Sequence, residues 1–121
     1  MADGVHRLEV YRKAMDLVEE AYRLTRKLPQ SERFGLVSQV QRATSIPMNI
    51  AEGYGRRHRG DCLHSLSIAR GSAFELETQI EIIVRLDFVD RAEAETARQQ
   101  IDSVKQMLTR LINRLTESSN G

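Results

Sequence analysis

The chain has little of several features that mark common classes of protein. Its 121 residues include one cysteine, no tryptophan, three tyrosines and three phenylalanines. A single cysteine cannot form an intrachain disulfide, which is consistent with a reducing compartment. No apolar run reaches the length of a membrane span, and the N-terminus "MADGVHRLEV" lacks the apolar segment of a signal peptide. We therefore predict a cytoplasmic protein without a membrane partner.

The chain also has almost no excess of charge of one sign. The formal net charge is +1, with 29% charged and 40% hydrophobic residues. This composition is globular rather than disordered, and it excludes a protein whose overall positive field attracts nucleic acid. Any such binding needs a local patch. The length corresponds to one domain with one core, so we treat residues 1–121 as a single domain.

Apolar residues recur every three and four positions along four stretches, the spacing that places them on one helix face. The pattern predicts helices over residues of about 7–28, 32–56, 61–86 and 91–116. Asp61 is the predicted N-cap of the third helix, and Asp90 with Glu93 forms a capping box before the fourth. The predicted core positions of the first helix are Tyr11, Ala14, Val18, Ala21, Thr25 and Leu28, and those of the third are Leu66, Ala69, Ala73, Leu76, Ile80 and Ile83. The prediction is an all-α, antiparallel up-down-up-down four-helix bundle.

The second helix contains a proline, Pro47, that does not interrupt its apolar spacing. The pattern keeps one phase from Leu36 to Tyr54, so we predict a continuous helix that is kinked at Pro47. Proline has no N–H for the carbonyl of Ala43, which we expect to lack a backbone partner, at a cost of about 3 kcal/mol. The alternative is a break here, with Ser45 as the N-cap of a new helix.

The second and third helices carry unusual residues on the faces away from their core positions. The second helix has a polar row, and the third has a mixture of glycine, isoleucine and polar residues. Short polar residues and an interior glycine are poor surface fillers of a helix. We interpret both faces as positions of an oligomer contact or polar network, the alternative being ordinary solvated surface. The residues concerned are Ser38, Arg42, Ser45, Asn49, Glu52 and Arg56 in the second helix and Ile68, Gly71, Ser72, Glu75, Gln79 and Ile82 in the third.

Two acidic residues on these faces, Glu52 and Glu75, are each expected to neutralise an arginine, since half-buried charges need partners. Arg42 and Arg70 are examples of such arginines.

The stretch "HRGDCLHS" contains the residue types of a metal or nucleophilic site. His58 and Cys62 are four residues apart, but Gly60 lies between them, and the sequence supplies no second pair of ligands. Nothing near them supplies an oxyanion hole or an orienting third group. We predict no metal, no cofactor and no catalytic residue; an enzyme that uses His58, Cys62 or Glu52 is the least favoured hypothesis.

Arginines cluster where the second helix ends, at Arg56, Arg57 and Arg59, beside Tyr54. Guanidinium groups match phosphate oxygens, and tyrosine can stack on a base. These four residues are the predicted contacts if the protein binds RNA or DNA. The alternative is that cations simply favour a helix C-terminus.

Several of these stretches together resemble a known family. The runs "LVSQVQRATSIPMNIAEGYGRR" and "SLSIARGSAFELETQIEIIVRLDFV", with the opening "VYRKAMDLVEEAYRLTRKLPQSERFGL", are similar to the four-helix-bundle proteins encoded in intervening sequences of bacterial 23S ribosomal RNA genes. The resemblance covers roughly residues 8 to 116. Asp87 departs from it, because the family usually has glycine there, at a position where helices often end in a left-handed residue.

The resemblance implies an antiparallel four-helix bundle and a family without an agreed biochemical activity. Some relatives, accessory proteins of diversity-generating retroelements, look like ring-shaped pentamers that bind nucleic acid, but they are strongly basic. The leading hypothesis is therefore a non-enzymatic homo-oligomer, with five subunits as the expected count, that associates with RNA, DNA or a ribonucleoprotein. The alternative is a protein-interaction module without a nucleic-acid role.

Overall fold

The computed structural model describes Gly4 and residues 8–120, of which residues 118–120 are described by their backbone alone. The predicted start of the first helix at residue 7 lies outside the described residues. Within them the chain is helical without strands, and the helices are α1 Glu9–Thr25, α2 Leu36–Gln41, α3 Ser45–Tyr54, α4 Arg59–Arg85 and α5 Arg91–Asn120. Two 3-10 turns, Gln30–Glu32 and Arg42–Thr44, lie before and after α2. None of the described helices combines the length and apolarity needed to cross a membrane.

The helices form the predicted all-α four-helix bundle. Helices α2 and α3, with the 3-10 turn between them, make up the second arm, and successive arms pack against each other while α5 closes against α1. Cross-helix contacts run in opposite chain directions: Arg98 meets Glu81, and Lys105 meets Glu77. The arrangement is therefore antiparallel.

The core follows the predicted spacing more closely in α4 than in α1. All six predicted core residues of α4 are buried. In α1 the fully buried stripe includes Leu17 and Leu24, while the predicted Tyr11 and Val18 are only partly buried. The buried face of α1 is thus centred about one residue earlier than predicted.

The backbone stays helical through Pro47, which is buried, so the alternative of a break at Ser45 is wrong. The residue before α3, Thr44, has helical dihedral angles and provides no side-chain cap. The expectation of an unpaired Ala43 carbonyl is also wrong, because it accepts a backbone N–H at the end of the 3-10 turn. In 3-10 geometry an N–H bonds to the carbonyl three residues earlier, instead of four residues earlier as in an α-helix. The carbonyl of Ala43 therefore accepts from the residue before Pro47, which has the N–H that proline lacks.

Two helices begin at residues other than those predicted. The second arm begins at Leu36, not near residue 32, because a 3-10 turn and Gly35 intervene. Helix α4 begins at Arg59, and the extended backbone that an N-cap requires belongs to His58. Asp61 therefore lies in the first turn of α4, where its charge still favours the positive end of the helix dipole.

The connection from α4 to α5 is fixed by two backbone motifs. Asp87 has φ of 63°, and around it the N–H of Phe88 bonds to the carbonyl of Ile83 (3.0 Å), a Schellman ending. The predicted capping box follows: the Asp90 N–H donates to Glu93 (3.0 Å), and the Glu93 N–H donates to Asp90 (2.7 Å).

Candidate oligomer and nucleic-acid interface

Helix α3 packs closely against α4. The hydroxyl of Ser45 donates to that of Ser72 at 2.7 Å, and Asn49 donates to the carbonyl of Ser45 at 2.8 Å. Further along, a Cβ on Gly53 would lie 3.3 Å from the carbonyl oxygen of Cys62 in α4. The middle of the predicted polar row is therefore half-buried at the border with α4, and Gly53 is the residue that permits the close approach.

The outer face of α4 exposes apolar side chains beside a glycine. Ile68 and Ile82 are exposed, and so is Leu86, which the sequence analysis did not single out. Gly71 lies between the two isoleucines, and a Cβ built on it would meet nothing within 4 Å. No described part of the chain therefore requires a glycine at this position.

Two charged residues lie along this same surface. Arg42 and Glu75 are both exposed, and within the described part of the chain neither side chain forms a hydrogen bond or an ion pair. The contact of Ser45 with Ser72 sets the antiparallel register, which places Arg42, in the 3-10 turn just before α3, level with Glu75 of α4. We name the surface formed by Arg42, Ile68, Gly71, Glu75 and Ile82 the outer α3–α4 surface.

The expectation that each acidic residue neutralises an arginine is confirmed for Glu52 and wrong for Glu75, and the partner of Glu52 is neither Arg42 nor Arg70. Glu52 pairs with Arg56, one turn along the same helix, because the two side chains share one helix face. Arg70 turns away from Glu75 toward α5, where its Nε donates to the Thr109 hydroxyl at 2.8 Å.

Around Arg70 lies a cluster that sequence reasoning missed. The ring of Phe74, 42% exposed, has the Arg70 guanidinium 4.9 Å and the Lys105 ammonium 4.5 Å from its centroid. Lys105 also bonds to both carboxylate oxygens of Glu77, at 2.9 and 3.0 Å. The i, i+4 spacing of Arg70 and Phe74 was visible in the sequence, but the register that brings Lys105 to them was not.

The arginine cluster lies at one end of the bundle, in the connection from α3 to α4. Arg56, Arg57 and Arg59 are all exposed, and Tyr54 is exposed beside them. A hydrogen bond to Glu52 raises the pKa of the Arg56 guanidinium. Arg56 and Arg57 follow α3, where the dipole favours cations, but Arg59 is the first residue of α4, where the dipole disfavours them. Helix-end preference therefore does not explain Arg59.

The residues of the metal and nucleophile hypothesis are not assembled into a site. Within the described residues, no three side chains of histidine, cysteine, aspartate or glutamate are grouped as metal ligands. The thiol of Cys62 is half-buried, and burial raises its pKa, which disfavours the reactive thiolate.

Comparison with known proteins identifies the family. A model of the 23S rRNA-intervening sequence protein family matches residues 6–110. A solved structure from Bacteroides thetaiotaomicron VPI-5482, described as a protein with unknown function from the S23 ribosomal protein family, is 26% identical with a TM-score of 0.79. The match covers 85% of this chain and 97% of that one. A search of curated proteins finds no match. The chain belongs to the 23S rRNA-intervening sequence protein family.

Proposed function

We propose that the protein is a non-enzymatic homo-oligomeric module that assembles through the outer α3–α4 surface. The observation that carries this proposal is Gly71. A glycine in a helix interior costs about 1 kcal/mol relative to alanine, and no described residue of the same chain uses the space that it leaves. The backbone of a second copy can approach α4 closely at this position.

The side chains around Gly71 support a contact between protein subunits. Ile68 and Ile82 lie on either side of it along α4. Their apolar surface is removed from water only if another molecule covers them. Arg42 and Glu75 carry opposite charges without partners inside the described chain, so copies can pair them across an interface. Such pairing sets the register and partner choice of an assembly more than its affinity.

The direct test is the mass of the protein in solution at micromolar concentration. We expect more than one chain for the parent, with five as the predicted count. Ile82→Gln should shift the assembly toward single chains, because Ile82 is 39% exposed on the outer α3–α4 surface. Met15→Gln is the matched control: Met15 is 43% exposed, but it lies on α1.

Gly71→Ala separates assembly from folding. Because the added methyl group meets nothing within 4 Å, it should stabilise the isolated helix by about 1 kcal/mol while weakening the assembly. A parent mass of one chain, or an assembly that Ile82→Gln and Met15→Gln affect equally, would contradict the proposal.

A second part of the proposed function is association with RNA through the arginine cluster. The observation that favours it is Arg59, a cation placed at the unfavourable end of the α4 dipole. Arg56, Arg57 and Arg59 are spread over a helix end and a turn, where long side chains can reach several phosphates. In an assembly the cluster is repeated once per subunit, which multiplies weak contacts.

The test is binding of a generic single-stranded RNA at several salt concentrations. Changing Arg56, Arg57 and Arg59 to glutamine should weaken binding and lower the log–log salt slope by about 0.7 for each phosphate that the variant no longer neutralises. The control variant removes the same charge elsewhere, at Arg12, Arg26 and Arg33, which are exposed on α1 and the following turn. If the parent does not bind at low salt, the protein-interaction module without a nucleic-acid role is favoured. If both variants bind with equally reduced affinity, the arginine cluster is not the binding site.

A further inference from the structure

At the end of the bundle where α1 begins and α3 ends, the core opens into a cavity of about 270 Å³. Its walls are mostly aliphatic and come from every arm: Leu8 ahead of α1, Ile50 in α3, Leu66 in α4, and Leu111 and Leu115 in α5. The last two are only partly buried, whereas Leu108, one turn earlier, is fully buried. The cavity is therefore an apolar continuation of the core that no described side chain fills.

The rim of the cavity is polar on one side only. Arg56 and Tyr54 contribute to the lining from the end of α3, and Gly4 covers the hydroxyl end of the Tyr54 ring, so Arg56 is the polar group that faces the cavity. Arg56 pairs with Glu52, but both side chains are about half exposed, and an exposed pair of this kind contributes little free energy. Arg57 and Arg59 follow in the same connection, so the rim carries more positive than negative charge. An anion can therefore exchange with Glu52 at little cost.

We propose that this cavity binds a medium-chain aliphatic carboxylate. The hydrocarbon chain lies among Leu8, Leu111 and Leu115, and the carboxylate accepts hydrogen bonds from the Arg56 guanidinium. Pockets of this composition, apolar with a few convergent polar groups, are typical small-molecule sites, and spaces between bundle helices are among their usual locations. A dry cavity of about 150 Å³ holds one benzene ring, so this volume corresponds to roughly ten carbons.

Cys62 supplies a chemical reporter of occupancy, because its half-buried thiol lies in the cavity wall. It is the single cysteine of the chain, so reaction with a thiol reagent reports on this wall alone. A ligand that fills the cavity should slow the reaction.

The experiment measures the rate of Cys62 modification in the full chain with increasing decanoate, alongside the methyl NMR resonances of Leu111 and Leu115. We expect decanoate to slow the reaction and shift both resonances saturably. Decylamine has the same chain with a cationic head, and it should bind at least about tenfold more weakly. If millimolar decanoate changes neither observable, or if the amine binds equally well, the proposal is wrong.

Two pairs of variants place the ligand. Arg56→Gln should weaken decanoate binding about tenfold, because it removes one charge-assisted hydrogen bond at a half-exposed site, while Arg26→Gln, which removes an exposed arginine just after α1, should leave binding unchanged. Leu115→Phe fills the cavity and should abolish binding. Leu86→Phe makes the same change at an exposed position just after α4 and is the control that should bind normally. Circular dichroism confirms that each variant is folded. Equal effects of the two arginine variants, or full binding by a folded Leu115→Phe protein, would overturn the proposal.

Discussion

Replacing Asp87 with glycine should stabilise the protein. Asp87 is the non-glycine residue with positive φ in the described chain, at 63°, and left-handed backbone costs a residue with a Cβ roughly 1–2 kcal/mol. The greater freedom of glycine in the unfolded chain offsets roughly 0.4–1 kcal/mol of that gain. The Schellman hydrogen bonds around the position involve only backbone atoms and are retained. We expect a net gain of about 0.5–1 kcal/mol, or a rise in Tm of about 2–5 °C.

The assay is denaturant unfolding followed by far-UV circular dichroism at one fixed protein concentration, because assembly makes stability depend on concentration. Asp87→Ala is the control, since it removes the carboxylate but keeps a Cβ in the left-handed conformation, and it should not stabilise. Asp90→Ala should cost about 1 kcal/mol, because it removes the cap of the Glu93 N–H. Equal stabilisation by Asp87→Gly and Asp87→Ala would refute the reasoning, because the carboxylate rather than the backbone would then be the cause.

Four further substitutions test three contacts between the arms. Hydrogen bonds from Lys27 and the neighbouring backbone lower the pKa of Glu93. The stabilisation that Glu93 contributes is therefore present above the usual glutamate pKa of about 4.3 and is lost as the pH falls through the lowered pKa. Glu93→Gln should reduce the dependence of the unfolding free energy on pH in this acidic range. Ser45→Ala and Ser72→Ala should each cost about 1 kcal/mol with a coupling above about 0.5 kcal/mol in a double-mutant cycle, and strict additivity would count against the bond. Gly53→Ala should lower the free energy of unfolding by about 1 kcal/mol, because overpacking against the α4 backbone exceeds the gain in helix propensity. A higher free energy of unfolding would instead show that α4 shifts to make room for the added methyl group.

The amino-acid pattern predicted the fold because local and tertiary preferences agree in most of the chain. The core positions of α4, the capping box at Asp90 and the left-handed residue Asp87 each depend on neighbours within a few residues. The pattern was less informative for α1, where Leu17 and Val18 are adjacent and only packing decides which one faces the core. The pattern also could not show that the helix tightens to 3-10 geometry before Pro47. That change depends on which backbone N–H replaces the missing N–H of Pro47 as donor to the Ala43 carbonyl, and apolar spacing does not reveal it.

The candidate surfaces were harder to predict than the fold, because they depend on register between helices. The residues around Gly71 could be assigned to one face from spacing alone, but their partners could not: Arg70 was expected to meet Glu75 or Glu52 and instead bonds to Thr109. The roles of the outer α3–α4 surface and of Arg56, Arg57 and Arg59 stay predictions, because both require a second molecule.

The rigid turn between α4 and α5 has a kinetic consequence. The capping box and the Schellman ending together bring two long helices into register across a few residues, so the entropy lost on closing this loop is small. The contact of α1 with α5 joins opposite ends of the chain and is the most expensive closure. We expect the α4–α5 hairpin to form in the folding transition state and α1 to dock last. Asp90→Ala should then slow folding, whereas cavity mutations in α1, such as Leu17→Ala, should mainly speed unfolding.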